Sequence, residues 1–422
     1  MNLPQPIPRA QRGSATQHST LNTQHSFGFG DLLGLATPGH LAAGRGSDFT
    51  PFFAQASVRD LAAAQRSPAD VLHTAQLALA DGGFDGTWGA EADGLRTPED
   101  VEPFAAAGFT RFTLDPSENI VNRAATLSPA ELAEAATLLA EDGIFLPGWM
   151  DAYLDRASED CFTPDALQRA AVKYGWALAQ VESLAAAVAR SCGARAFELE
   201  VDFTGSFTPT TPGEHLFLAH ELRRRGVPVA ALALRLPGEW ELAVDFAGDA
   251  EECERALAAH AAIAKTAGPH QLSFPRCGDK FSILPALGRQ CGELLHVKTS
   301  GTSWLEALRV VARVEPRLFR ELLMFCQQQF IFDRTDRAIS TTEDDVRFLP
   351  DVSDGEMERV FLGERQGRQM LHVTAGSVLS GFDPAGHPWR EALRALLTTH
   401  ADLHAALLAA HLGRHLDCLR AG

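Results

Sequence analysis

The sequence lacks the cysteine spacing of a disulfide framework or a zinc ribbon. Its cysteines are odd in number, scattered along the chain and free of any C-x-x-C pair. The seven are Cys161, Cys192, Cys253, Cys277, Cys291, Cys326 and Cys418. This pattern predicts reduced thiols in a cytoplasmic protein.

Long apolar segments are also missing. No apolar run approaches the ~18 residues that a membrane-spanning helix needs. Residues 1–26 are rich in Ser, Thr, Gln, Asn and Pro and contain no apolar stretch of the kind found in signal peptides. We therefore expect no membrane partner, and we interpret residues 1–26 as a flexible tail.

Positive charge is scarce relative to negative charge. The 422 residues include 37 Lys and Arg against 54 Asp and Glu, which gives a formal net charge of −17. Nucleic acid is therefore not an expected partner, because phosphate recognition needs a basic face. A local pocket of Arg or Lys could still bind an anionic small molecule. The hydrophobic content of 45% provides a core typical of a globular enzyme.

Short apolar runs alternate with amphipathic stretches that begin at Ser, Thr, Pro or Asp cap signals. This alternation indicates a parallel sheet covered by helices. The number of units favours an α/β fold of the TIM-barrel-like (β/α)8 type, which we expect to form one domain over residues 27–422 with helical insertions. The predicted strands are Thr110–Leu114, Ala196–Val201, Val229–Leu236, Leu272–Phe274, Leu294–Val297 and Met370–Thr374.

Polar residues follow four of these predicted strands. The active sites of barrel enzymes are assembled where strands end and in the loops that follow them. The polar residues are Asp115, Asp202, Asp279 with Lys280, and Lys298 with Thr299. The sequence therefore predicts a shared polar site at the carboxyl end of the barrel.

The segment "HVKTSGTSW" offers His296 and Lys298 on a strand, followed by a turn and a helix that begins near Trp304. The N–H groups at such a helix start could bind a carboxylate or phosphate, with Lys298 as the counter-charge. An ordinary helix cap beside an exposed lysine is the alternative. In "PFFAQASVRD", Gln55, Ser57 and Arg59 could likewise face a ligand, or Ser57 could cap the next helix.

Two other groups also have both a functional and a structural interpretation. Arg235 at a strand end could pair with a substrate carboxylate, or form a salt bridge with Glu239 or Glu241. Glu214 and His215 resemble a metal or acid–base pair, although helix capping explains Glu214 and a helix-face histidine is more often structural.

Nine segments together resemble the tagaturonate epimerase family, in the right order from about Phe27 to the C-terminus. The resemblance implies a TIM-barrel-like fold, a divalent metal, and C4 epimerisation that interconverts the ketohexuronates fructuronate and tagaturonate. The segments are "GFGDLLGLATPGH", "PFFAQASVRD", "GAEADGLRTPEDV", "GFTRFTLDPS", "TPTTPGEHLFLAHELRRRGV", "LRLPGEWE", "GDKFSILP", "HVKTSGTSWLEALRV" and "HVTAGSVL".

The sequence departs from the family pattern at three positions. Gly94, Phe203 and Pro275 stand where the pattern has histidine, glutamate and histidine. None of these three side chains can donate a lone pair to a metal, so we assign no metal ligand here. Asp279 and Lys280 are then interpreted as the retained part of a site that has lost its metal-binding residues.

The leading hypothesis is an isomerase, a fructuronate/tagaturonate epimerase of carbohydrate metabolism, whose substrate is a sugar acid. The alternatives are a non-catalytic paralogue, or pseudoenzyme, that binds a sugar acid without metal, and a different lyase or isomerase on the same barrel. A homo-oligomer is left open. The residues expected to transfer protons are Asp93, Asp202, Asp279 and Lys280. Those expected to bind substrate are Gln55, Ser57, Arg59, Asp115, Arg235, His296, Lys298 and Thr299.

Overall fold

The computed structural model describes residues 24–154, 162–335, 337 and 339–422. Within them, eight parallel strands pair in chain order and close into a barrel when β8 pairs with β1. The strands are β1 (Ser26–Gly30), β2 (Thr50–Ser57), β3 (Gly89–Leu95), β4 (Arg111–Leu114), β5 (Glu198–Asp202), β6 (Val229–Ala233), β7 (Gln271–Phe274) and β8 (Leu295–Lys298). The predicted (β/α)8 fold is confirmed.

Helices connect the strands and continue after the last one. The α-helices are α1 (Thr37–Gly44), α2 (Val58–Ala64), α3 (Pro68–Asp81), α4 (Pro98–Ala107), α5 (Pro129–Glu141), α6 (Asp151–Leu154), α7 (Pro164–Cys192), α8 (Pro212–Arg224), α9 (Ala250–Thr266), α10 (Leu284–Cys291), α11 (Thr302–Val314), α12 (Pro316–Asp333), α13 (Met357–Leu362), α14 (Arg365–Val373), α15 (Ala375–Ser380), α16 (Trp389–Thr399) and α17 (Ala401–Arg420). Short 3-10 helices lie at Ser117–Asn119, Asn122–Thr126, Gly292–Leu294, Glu343–Asp345, Leu349–Asp351 and Asp354–Glu356.

Local sequence explains where several barrel helices begin. In α3, α4, α5 and α8, a Ser or Thr side chain accepts a hydrogen bond from the third helical N–H, and the acid at that third position bonds back to the cap. Each of these helices also has proline in its first turn, where the missing N–H costs nothing.

The buried side chains form two cores. The larger one fills the space between the strands and their surrounding helices, and α17 returns to pack against α1 and α10 within it. The smaller one lies among α11 to α16, which follow β8. Helices after the last strand therefore extend the barrel and cover its carboxyl side through side chains such as Arg368 and His372.

One predicted strand is wrong and three strands were not predicted. Met370–Thr374 was predicted as a strand, but its residues lie in α14 and just after it. Met370, Leu371 and Val373 are all buried in the smaller core. In a short segment that is buried on every side, the hydrophobic residues show neither the helical nor the strand periodicity, so the sequence pattern cannot distinguish a helix from a strand. The unpredicted strands are β1, β2 and β3, and β3 ("GAEADGL") is poor in the β-branched and aromatic residues typical of strands.

The described residues include no helix that is long and apolar enough to cross a membrane. The described cysteines are all free thiols, as predicted, whereas Cys161 lies outside the described residues. Most of the predicted tail, residues 1–23, also lies outside them, and Ser26 is the first residue of β1.

Candidate functional site

The interior of the barrel is polar across most of its strands. Side chains two residues apart on a strand point to the same face, so Glu91 and Asp93 on β3, and His296 and Lys298 on β8, form inward pairs. Buried carboxylates, hydroxyls and one ammonium replace the branched apolar side chains usual in barrel interiors. The connected group is Gln55, Glu91, Asp93, Thr113, Glu200, Ser273, His296 and Lys298.

Lys298 is the centre of this group. Its Nζ lies 2.9 Å from Oε1 of Glu91, 2.8 Å from Oε1 of Glu200 and 2.9 Å from Oγ1 of Thr113. Oδ1 of Asp93 is farther away, at 3.4 Å. An ammonium has three protons to donate, and three close oxygens accept them. The charge of Lys298 is therefore fully engaged inside the barrel.

His296 joins the group from the same strand. Its Nε2 lies 3.2 Å from Oε2 of Glu91 and 3.9 Å from Oε2 of Glu200, and its Nδ1 lies 2.7 Å from Oγ of Ser26. Burial lowers the pKa of His296 to about 4, despite the nearby charge of Glu91. The imidazole is therefore neutral at physiological pH.

The three carboxylates around Lys298 have different proton affinities. Burial raises the pKa of Glu91, but Lys298 and His296 outweigh it and hold this pKa well below its usual value. Burial raises the pKa of Glu200 to about 7 and that of Asp93 to about 6, and the neighbouring acids add to both shifts. Because these groups interact closely, the proton near neutral pH belongs to the cluster as a whole.

Two further predicted acids lie at the ends of their strands. Oδ1 of Asp202 accepts hydrogen bonds from the N–H of Thr204 at 2.7 Å and from its hydroxyl at 2.6 Å. Burial raises the pKa of Asp202, and the charge of Asp115 adds to this. Asp115 itself is bound by Arg96 at 2.8 Å and by the hydroxyl of Ser117. Asp202 also raises the pKa of Asp93, so the two acids share one electrostatic environment.

The predicted substrate-binding residues have different surroundings. Gln55 is buried and donates to Oε2 of Glu91 at 3.1 Å, so it belongs to the cluster. Ser57 caps α2, because its Oγ accepts the N–H of Asp60 at 3.0 Å. Arg59 is exposed on that helix. Thr299 donates to the carbonyl of Gly28 at 2.8 Å and ties β8 to β1.

Arg235 is only loosely held. Its Nη2 lies 3.5 Å from the carbonyl of Gly238 and 3.7 Å from Oε2 of Glu239. The contact with Glu239 is the salt bridge that the sequence offered as the alternative to substrate binding.

Glu214 and His215 both make contacts that stabilise the fold. Glu214 belongs to the cap of α8 and pairs with Lys173 at 2.8 Å, and His215 contacts two other buried histidines.

Asp279 and Lys280 lie in contacts that join the barrel to the later helices. Oδ2 of Asp279 accepts from Arg368 at 2.7 Å and Oδ1 lies 2.6 Å from Nε2 of His411. Nζ of Lys280 donates to the carbonyls of Glu241 and Val244 at 2.6 and 2.5 Å. Burial lowers the pKa of Lys280 to about 8. These contacts indicate positioning roles, and proton transfer by either residue stays a prediction.

We expect Asp279→Asn to lower the free energy of unfolding by about 3 kcal/mol, because it leaves the buried guanidinium of Arg368 without a counter-charge. Asn tolerates the left-handed backbone of this position, where φ is +63°, so the effect isolates the charge. Denaturant unfolding measures it. The control Asp417→Asn removes an exposed acid of α17 and should change stability by less than about 0.5 kcal/mol. Equal stability of both variants would contradict the positioning role.

Glu91, Glu200, Thr113 and Ser273 were not among the site residues predicted from the sequence. Each lies within a strand, whereas the predicted polar site was built from residues that follow strand ends. The available signal was the two-residue spacing: Glu200 precedes Asp202, and Glu91 precedes Asp93, on the same faces of β5 and β3.

Comparison with known proteins identifies the family. A sequence model described as tagaturonate epimerase matches residues 13–419. A Thermotoga maritima protein named tagaturonate/fructuronate epimerase is 37% identical over 397 residues, which is 93% of this chain and 80% of the relative. The chain belongs to the tagaturonate epimerase family.

A solved structure supports the same conclusion. The native crystal structure of fructuronate-tagaturonate epimerase from Cohnella laeviribosi superposes with a TM-score of 0.87 at 32% identity, covering 95% of this chain and 82% of that one. Its complex with one glycerol gives a TM-score of 0.86 at the same identity, over 94% and 81% of the two chains. The tagaturonate epimerase fold therefore extends over nearly all of this chain.

Proposed function

We propose that this chain is an isomerase that epimerises C4 of a ketohexuronate and interconverts fructuronate and tagaturonate. The observation that carries the proposal is the 37% identity to a tagaturonate/fructuronate epimerase over 93% of the chain. The charged cluster inside the barrel supports turnover over the non-catalytic alternative, because a cluster of buried acids around one lysine is costly to maintain without a role. A cytoplasmic location and a homo-oligomer stay predictions.

The position of C4 in the substrate restricts the possible reaction mechanisms. C4 is not adjacent to the ketone, so removing its hydrogen as a proton has no carbonyl to stabilise it. In a retro-aldol route a base removes the C4 hydroxyl proton, the C3–C4 bond breaks, and its electron pair moves to the ketone as an enediolate. Rotation of the new aldehyde and re-addition invert C4. The other route is transient oxidation at C4, in which the hydride passes to a hydride acceptor and returns to the opposite face of the new ketone. Both routes require an acid–base group near the operating pH.

Asp93 is the acid–base group that we assign. Its side chain is 19% exposed, whereas those of Glu91 and Glu200 are both 0% exposed. It is therefore the carboxylate of the Lys298 cluster that substrate can reach from the carboxyl end of the barrel. Arg235 is a candidate for the substrate carboxylate, since its guanidinium is partly exposed and makes only long contacts.

Replacing Asp93 by asparagine should lower kcat about 10²- to 10⁴-fold, the usual contribution of a general acid or base. Folding should be preserved, because Glu91 and Glu200 remain bound to Lys298. Initial rates with fructuronate measure the effect. Asp85→Asn, an exposed acid shortly before β3, is the matched control and should keep wild-type rates. Equal rates for both variants would remove Asp93 from the mechanism.

The activity itself is tested by incubating the purified chain with fructuronate and following tagaturonate by NMR. Equilibration from both directions is expected. In a mixture of fully ¹³C-labelled and unlabelled substrate, half-labelled products would establish the retro-aldol route, since they form only if the C3–C4 bond breaks and fragments exchange. No conversion in either direction would overturn the proposed function.

A further inference from the structure

The divalent metal implied by the family does not fit the positions that the family pattern provides. Gly94 has no side chain, and Phe203 is fully buried with its ring 5.5 Å from that of Tyr174. Pro275 begins the turn after β7. None of these positions offers an oxygen or nitrogen ligand.

Among the described residues, two groups bring three metal-ligand atoms within 4.8 Å of one another. One is Asp279 with His411 and His415. There the carboxylate is bound by Arg368, and Nε2 of His415 accepts the N–H of Asp279 at 2.9 Å. The ligand atoms of this group are therefore already engaged in an ion pair and a hydrogen bond within the protein.

The other group is Glu91, Glu200 and His296, two carboxylates and an imidazole of the type that divalent transition metals prefer. Here one oxygen of each carboxylate is bound by Nζ of Lys298, at 2.9 and 2.8 Å. A divalent ion on these carboxylates would lie close to an ammonium that cannot leave, since Lys298 is fully buried on β8. Repulsion between the two cations in a poorly solvated interior opposes binding.

We propose that Lys298 is the resident cation of this centre: its ammonium holds Glu91 and Glu200 in place of a divalent ion, and the chain neither binds nor needs a metal there. The statement that no metal is needed for turnover rests on the proposed function. The statement that no ion binds rests on the geometry alone.

The first test is metal content. Wild-type chain, expressed with added zinc, manganese and nickel and then desalted, is expected to hold less than about 0.1 ion per chain by mass spectrometry. Its fructuronate turnover should be unchanged by EDTA. One ion per chain that is lost in Glu91→Gln would overturn the proposal, as would loss of turnover on chelation. An ion that persists in Glu91→Gln lies outside the cluster and leaves the assignment standing.

The second test releases the carboxylates of Glu91 and Glu200 from the ammonium that binds them. Lys298→Ala removes the ammonium and opens space, so calorimetric titration with nickel or zinc should show one site at least tenfold tighter than any in wild type. Glu91→Gln in the same background should lose that site, and Lys298→Met, which refills the space, should not gain it. Absence of binding to a folded Lys298→Ala chain would contradict the proposal. If that variant does not fold, the wild-type metal content still decides.

The proposed function and the assignment of Lys298 as the resident cation can be refuted independently of each other. Wild-type chain with no ion and no epimerisation would refute the proposed function and support the assignment of Lys298. Epimerisation that depends on an ion bound by Glu91 would support the function and refute the assignment.

Discussion

Lys298→Met lowers the free energy of unfolding by about 3–5 kcal/mol and abolishes measurable epimerisation; this is the largest effect that we expect from a single substitution. Methionine keeps roughly the length and volume of lysine but has no charge and no protons to donate. Glu91, Glu200 and Asp93 then lose the cation they share, within 3.4 Å of its Nζ. Removing one partner of a buried ion pair costs more than the pair contributes, because the remaining charges stay desolvated.

Denaturant unfolding at pH 8 and at pH 6, with turnover assays at both, measures these effects. The loss of stability should be larger at pH 8, since the remaining carboxylates can take up protons at pH 6 and repel one another less. Lys265→Met is the control, because Lys265 is exposed on α9. A Lys298→Met chain as stable as the control at both pH values would show that the carboxylates do not depend on this ammonium.

The second large effect is loss of stability in mild acid. Burial is the main cause that lowers the pKa of eight histidines from an ordinary value of 6.5, to about 4 in six of them. These are His40, His215, His260, His270, His296, His372, His404 and His415. The folded chain therefore keeps neutral imidazoles that the unfolded chain protonates below about pH 6.5.

Proton linkage determines whether the free energy of unfolding rises or falls with pH. Between pH 6.5 and 4 the unfolded state binds more protons at these histidines, so the free energy of unfolding falls as the pH falls, by about 1.4 kcal/mol per pH unit for each net proton. Glu200 and Asp93 act in the opposite direction, because their raised pKa values let the folded chain bind protons first. The histidines outnumber them, and a decrease of about 5 kcal/mol or more from pH 7 to pH 5 is expected.

Hydrogen bonds among three of these histidines oppose protonation of their imidazole rings. Nε2 of His260 lies 3.1 Å from the carbonyl of Thr210 and must donate to it. Its Nδ1 then accepts from His215 at 3.1 Å, and Nε2 of His215 in turn accepts from His270 at 2.8 Å. Each histidine–histidine contact holds one proton between two nitrogens, so a proton added to His215 or His260 would set two N–H groups against each other.

Unfolding in urea at several pH values between 7.5 and 4.5 measures this proton uptake. Replacing the exposed His387 by glutamine should leave the pH dependence unchanged, whereas His260→Asn should reduce it by about one proton. A stability that is constant between pH 7 and pH 5 would contradict neutral buried histidines.

Much of the fold could be predicted from the sequence, because alternating strands and capped helices carry local signals. The site could be predicted less well. Lys298 was predicted at a strand end and Asp93 from the resemblance to the tagaturonate epimerase family, but their contact with each other, and that of Lys298 with Glu200, depends on strands that pair around a closed barrel. The role of Asp279 depends on Arg368 and His411, which lie 89 and 132 residues farther along the chain. No local pattern encodes such distant partners.

The burial of lysines also has a practical consequence. The sequence contains four lysines, and three of them, Lys173, Lys280 and Lys298, are buried with their amines bound to carboxylates or carbonyls. In the folded chain, an acylating reagent can therefore reach the side chain of Lys265 far more readily than the others. Among the lysine side chains, acylation of the native protein is therefore expected at close to a single site, and labelling at the other three reports that the fold around them has opened.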